Sequence, residues 1–115
     1  MLSNKYRFHG PNSLRFVYRN GKTAHSHICR VKYISNPRIE NPRFAVVVSK
    51  KVHKSAVGRN RIRRRFYEVI RSQIPYIKRN MDIVVIIVSG EALSLPHEDI
   101  SGVVEQLFHE ADLYE

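Results

Sequence analysis

Apolar positions along this chain recur with two different periods, and the switches between them mark out the elements. From Ile28 to Ile34 apolar and polar residues alternate, with Cys29, Val31 and Tyr33 on one side and Arg30 and Lys32 on the other. That period of two predicts a half-buried strand with a basic outer face. Phe44 to Ser49 is a β-branched run and predicts another strand. The polar, proline-broken segment S-N-P-R-I-E-N-P-R between them predicts a connecting loop. Asp82 to Ser89, D-I-V-V-I-I-V-S, is a continuous apolar run rather than an alternating one, which suits a strand covered on both faces.

Helical spacing governs the rest. Asn12 or Ser13 is placed to cap a short helix running to about Arg19, with Gly21 ending it. Leu14, Val17 and Tyr18 share one side of that helix and Phe16 points elsewhere. A longer helix is expected from roughly Val57 to Ser72, with Pro75 just past its end. At about 100° per residue, Ile62, Phe66, Val69 and Ile70 cluster in one arc, and Arg61, Arg64, Arg65 and Arg71 fall opposite. Asn60, Arg63 and Tyr67 lie on the flank. Arg59 would fall within the apolar arc, so it belongs at the helix start, beyond the sheet edge. A last helix from about Pro96 to Ala111 carries the stripe Ile100, Val103, Val104, Leu107 and Phe108. Glu98 and Asp99 sit in its first turn, where carboxylates favour the helix dipole. The expected order is helix, two or three strands, helix, strand, helix: one α/β sandwich over a small sheet, a single domain spanning residues 1–115.

Charge changes this picture from a generic domain to one with a polyanionic partner. Residues 1–79 hold all 20 Lys and Arg and only two acids, Glu40 and Glu68, while residues 80–115 hold eight acids and no Lys or Arg. A basic body with an acidic end favours a polyanion bound on one face. The cations are densest from Lys50 to Arg65, K-K-V-H-K-S-A-V-G-R-N-R-I-R-R-R. There Lys50, Lys51, Lys54, Arg59, Arg61, Arg63, Arg64 and Arg65 make eight cations in sixteen residues without an acid. A merely solvated helix face interleaves both signs; here Glu68 is the only acid in the helix, and guanidinium forks match phosphate geometry. Nucleic-acid contact is the reading favoured.

Other residues admit two readings each. Asn60 either caps the basic helix or hydrogen-bonds a base or ribose, and Gly58 permits a close backbone approach or a left-handed turn. Tyr18 with Leu14 and Phe16 is either ordinary core or a stacking platform for unpaired bases. Arg30 and Lys32 on the adjoining strand would make that platform part of a groove for single-stranded nucleic acid. His25-x-His27 could place two imidazoles on one strand face, but no Cys pair or nearby carboxylate completes a zinc site, and His109-Glu110 is not an H-E-x-x-H motif. No glycine-rich phosphate loop or nucleophile elbow occurs. Asp82, Glu91, Glu98 and Asp99 belong to the acidic end, away from the basic surface. Chemistry by the protein's own side chains is therefore not expected. The single Cys29 cannot form an internal disulfide, which points to a reduced, cytoplasmic setting. The first ten residues lack an apolar core of signal-peptide length, and the longest apolar run, Ile83 to Val88, is too short to span a bilayer, so no membrane association is expected.

The stretch Ser49 to Arg64, S-K-K-V-H-K-S-A-V-G-R-N-R-I-R-R, resembles the signature of the bacterial ribonuclease P protein component family, in which a strand ending in S-K-K leads into R-N-R-x-K/R-R on a helix. Arg7-Phe8, the helix before Gly21, the I-V-V-I-I-V strand and the closing L-F-H-E-A helix are compatible with the same family. The resemblance implies an α+β fold, an α-β-β-β-α-β-α sandwich related to a ribosomal-protein domain, with a left-handed crossover around the basic helix. It also implies a protein that joins a catalytic RNA subunit to cut the 5′ leader from precursor tRNA. Mg²⁺ is then held by the RNA, no cofactor by the protein alone, and no protein partner is required. By the same resemblance, Arg59, Asn60, Arg61 and Arg64 match positions that dock on the catalytic RNA, and the cation block adds Lys50, Lys51, Lys54 and Arg65 to that expected docking set. Leu14, Tyr18 and Lys32 match the cleft that holds the leader and Arg63 a basic position near it; Arg7, Arg30 and Tyr67 are expected along the leader with them. Leu14 and Lys32 stand where aromatic residues are common in the family, which shifts the grip on the leader from stacking towards charge; Tyr67 stands where a basic residue is frequent. The competing reading is a plain RNA-binding module such as a ribosomal protein, with no part in cleavage. A helix-turn-helix DNA binder ranks third, because the β-rich Phe44–Ser49 segment leaves no helix just before the basic one.

Overall fold

A computed structural model describes residues 2–115. Among them, three α-helices and four strands follow in the order α1 (Pro11–Asn20), β1 (Lys22–His25), β2 (Cys29–Ser35), β3 (Arg43–Val47), α2 (Ala56–Gln73), β4 (Met81–Ile87) and α3 (His97–Glu110). This is the α+β order expected. The sheet runs β1-β2-β4-β3. β2 is antiparallel to both β1 and β4, and β3 is parallel to β4 with α2 as the crossover between them. β4 is thus an inner strand, and Ile83, Val84 and Val85 are fully buried, as its continuous apolar run requires.

The two sheet faces are covered differently. Val31, Ile83, Val85, Phe44 and Val46 join Ile62, Phe66, Val69 and Ile70 of α2 and Ile100, Val104, Leu107 and Phe108 of α3 in one core. The apolar arc read from α2 and four of the five stripe positions of α3 are therefore buried; Val103 is half-buried. Val17 of α1 and Val84 of β4 are also fully buried but lie outside that cluster. α1 packs on the opposite face of the sheet, over β2 and β4. Only α1 covers that face, so the outer row Arg30, Ile86 and Val47, aligned by strand register, stays partly open.

Three local expectations change, and one open point is filled. α1 starts at Pro11 with Gly10 before it at φ 82°, so neither Asn12 nor Ser13 caps it. Proline at the first helical position gives up only an orphan N–H, and glycine alone takes that positive φ without strain. The third strand, left open by the sequence, is β1, only four residues long and partly exposed throughout. His25 ends β1 and His27 lies in the bend that follows, so the two imidazoles do not share a strand face. Asp82, grouped by sequence with the acidic end, stands apart from those acids. Among the described residues it is the one buried charged side chain, 2% exposed. Its carboxylate accepts from Arg43 Nε and Nη2 at 2.8 and 2.9 Å and from Asn36 Nδ2 at 2.9 Å. No helix of the described residues is long and apolar enough to cross a membrane. Cys29 is buried, and burial pushes its thiol up to about 11, so the thiol stays protonated and inert.

Candidate nucleic-acid interface

The basic block folds as a tight turn fixed onto the first turn of α2. After β3, the Val52 and His53 N–H groups donate to the Ser49 carbonyl at 3.1 and 3.3 Å, closing a turn that carries Lys50 and Lys51 into solvent. Ser55 caps α2, its hydroxyl accepting from the Gly58 N–H at 2.9 Å. The His53 ring lies flat against Gly58: a Cβ there would sit 2.1 Å from its Cε1. Gly58 is thus required for a close approach, not for a left-handed turn. Arg59 lies in the first helical turn, as expected, but is half-buried and donates through Nη1 to the carbonyls of His53 and Lys54 at 3.0 and 2.8 Å. These contacts lock a lysine-bearing turn to an arginine-bearing helix, so their charges hold a fixed spacing.

Along α2 the arginines have different fates. Arg61 and Arg64 are exposed and make no ion pair or side-chain hydrogen bond among the described residues. Val57 continues their stripe one turn earlier and is 67% exposed. Arg71, on the same side, donates to both carboxylate oxygens of Glu68 at 2.8 Å. Asn60 does not cap the helix, since Ser55 does; its carbonyl oxygen accepts from Arg63 Nη2.

Arg65 departs from the expectation that it faces outward to RNA. It is half-buried, and its Nη1 donates to the carbonyls of Ala92 and Leu93 at 2.9 and 2.8 Å while its Nη2 donates to that of Leu95. The helical wheel placed it opposite the core, but the segment after β4 folds over that flank and presents carbonyls to it. Arg65→Met should cost about 1–3 kcal/mol of stability by leaving those carbonyls unpaired, measured by urea unfolding. The salt dependence of RNA binding should stay unchanged. A flatter salt slope with unaltered stability would return Arg65 to the RNA face.

The remaining candidates gather in two places. A hollow of about 300 Å³ is lined by Arg7, Asn60, Arg63, Arg64 and Tyr67. Arg7 reaches it because its backbone bridges to Phe44 on the edge strand β3. Tyr67 closes the same edge, its hydroxyl accepting from the Val46 N–H at 3.1 Å. The second region lies where α1 crosses the open face of the sheet. Tyr18 is 37% exposed there, and Lys32 Nζ donates to its backbone carbonyl at 3.3 Å. Burial raises the Tyr18 hydroxyl above its ordinary pKa, with the neighbouring Arg30 guanidinium pulling the other way. Leu14 is half-buried beside it. Among the described residues, the one histidine–carboxylate pair is His27 with Glu91, 4.0 Å apart, with both side chains largely exposed.

Residues 2–112 match the family model described as Ribonuclease P. The chain belongs to the ribonuclease P protein family. It is 35% identical to the ribonuclease P protein component of Carboxydothermus hydrogenoformans, over 92% of this chain and 89% of that protein. It is 34% identical to that of Clostridium botulinum, over 99% of each. The fold superposes on the solved ribonuclease P protein of Staphylococcus aureus with a TM-score of 0.84 at 25% identity, covering 96% of this chain and 98% of that one. The expected ribonuclease P subunit role and the sandwich fold are therefore those of this family. Sequence reasoning missed the Ser55 cap and the His53–Gly58 contact. The signal was a serine immediately before the helical run, with a glycine three residues later at the position its hydroxyl reaches.

Proposed function

We propose that this ribonuclease P subunit binds the catalytic RNA through the turn-and-helix face of Lys50, Lys51, Lys54, Asn60, Arg61 and Arg64, and guides the single-stranded 5′ leader of precursor tRNA over the α1 face. Arg59 acts by holding the lysine turn in place, and Arg65 is removed from the docking set. The observation that carries the reading is the exposed, unpaired Arg61–Arg64 stripe on a rigid helix. Such charges repel one another unless a polyanion neutralises them. Leu14, Tyr18, Arg30 and Lys32 line the path of the leader. Arg7, Arg63 and Tyr67, brought together with Asn60 and Arg64, take the phosphates where leader and catalytic RNA meet. A face of guanidinium and ammonium groups repels a divalent cation, so the Mg²⁺ of the reaction is assigned to the RNA. The cleavage chemistry goes with it. The unpaired, protonated Cys29 suits a reducing compartment, consistent with the cytoplasm.

The test is cleavage of precursor tRNA by a bacterial ribonuclease P RNA at low Mg²⁺, with and without this protein. Strong stimulation is expected, and its absence would overturn the reading. Within that assay, Tyr18→Ala should weaken binding of precursor tRNA by about 1–3 kcal/mol, the range for removing one base stack. Mature tRNA, which has no leader, should bind as before; equal weakening on both would return Tyr18 to a packing role.

A further inference from the structure

α1 presents two aromatic flanks, and the leader path uses only one. With Val17 turned to the sheet, Tyr18 and Phe16 project about 100° to either side. Phe16 is 54% exposed. It overhangs a separate hollow of about 440 Å³ whose lining includes Asn12, Asn36, Arg38, Arg43 and Asp82. We propose that this hollow takes one unpaired nucleotide of RNA, its base stacked on Phe16 and its phosphate paired with Arg38.

The chemistry of the lining favours a nucleotide over a cation or an apolar ligand. Asp82, the only acid in the hollow, is already neutralised by Arg43 and held by Asn36, so it offers no site to a cation and little repulsion to a phosphate. Asn36 is also spent, its Oδ1 accepting from the Arg38 N–H at 3.1 Å; this bond fixes the start of the 36–42 connection beside the hollow. Arg38 is exposed and has no ion pair among the described residues. The Asn12 amide and the Ser35 hydroxyl, both in the lining, make no side-chain hydrogen bond among the described residues and can read a base edge. An exposed aromatic face, free amide and hydroxyl groups and one unpaired guanidinium are the parts that bind single-stranded nucleic acid. The volume lies within the range of small-ligand pockets.

The inference rests on the RNA-binding reading above, and its test separates the two. Binding is measured for the catalytic RNA alone, and for precursor and mature tRNA with the assembled holoenzyme, using wild type, Phe16→Ala, Phe16→Trp and Arg38→Ala. Phe16→Ala should weaken binding roughly five- to 150-fold, the equivalent of removing one stack. Phe16→Trp should retain it, and Arg38→Ala should flatten the salt slope by about one unit. Weakening with precursor tRNA only assigns the nucleotide to the leader. Weakening with the catalytic RNA alone assigns it to that subunit. Wild-type affinity of Phe16→Ala in every arm, with wild type binding RNA normally, would overturn this inference and leave the general reading standing. Failure of wild type to bind RNA would overturn both. Phe16 is largely outside the core, so its removal should leave thermal unfolding unchanged.

Discussion

Arg43→Ala should destabilise the protein by about 3–5 kcal/mol, because it strands a buried carboxylate without its cation. Asp82 and Arg43 have side chains only 3% and 15% exposed, and their hydrogen bonds run in parallel from Nε and Nη2 to the two carboxylate oxygens. The pair joins the first residue of β3 to the start of β4, and Asn36 adds the segment just after β2. The Phe8 ring stacks at 5.0 Å from the Arg43 guanidinium carbon, so the N-terminal segment is tied to the same point. The free energy is read from urea unfolding. Arg43→Met combined with Asp82→Leu should cost far less than Arg43→Ala alone, since no charge is then left buried. A single-variant cost below about 1 kcal/mol would mean that Asp82 recovers its hydration when Arg43 is removed.

The second large effect is on RNA affinity. Arg61→Ala with Arg64→Ala should weaken binding to the catalytic RNA and flatten the log–log salt dependence by about two units, close to one for each phosphate left without its guanidinium. Arg71→Ala is the internal control. It lies on the same side of α2, but Glu68 already occupies its guanidinium, so the slope should barely change. If the double variant keeps the wild-type slope as the Arg71→Ala control does, the Arg61–Arg64 stripe is solvated in the complex and the docking face lies elsewhere. Affinities must be compared at one salt concentration, because the polyelectrolyte contribution otherwise masks the difference.

These two predictions differ in how far the sequence alone could have reached them. The arginine stripe was legible from periodicity: 3.6 residues per turn sorts Arg61 and Arg64 from Ile62, Phe66, Val69 and Ile70 without knowledge of anything distant. The S-K-K and R-N-R segments carried the family. The Arg43–Asp82 pair was not legible, because its partners stand far apart in the chain and Asp82 was grouped with the acids around it. Arg65 failed for a related reason. A wheel knows only the helix it is drawn on, and the carbonyls that claim Arg65 come from residues 92–95. Asn60 was left between two roles; Ser55 took the cap, and Asn60 instead accepts from Arg63.

By itself the sequence determined the three helices and three of the four strands, the apolar arcs of α2 and α3, the density and placement of positive charge, and membership in a family. All of these are written in residue spacing and local composition. Tertiary structure alone decided that α1 lies across the sheet from the other two helices, leaving one face open. It also decided which cations remain free. A guanidinium becomes a surface charge or a structural clamp according to whether a distant backbone brings it acceptors. Arg59 and Arg65 met carbonyls and became clamps; Arg61 and Arg64 met none and remain available to a polyanion.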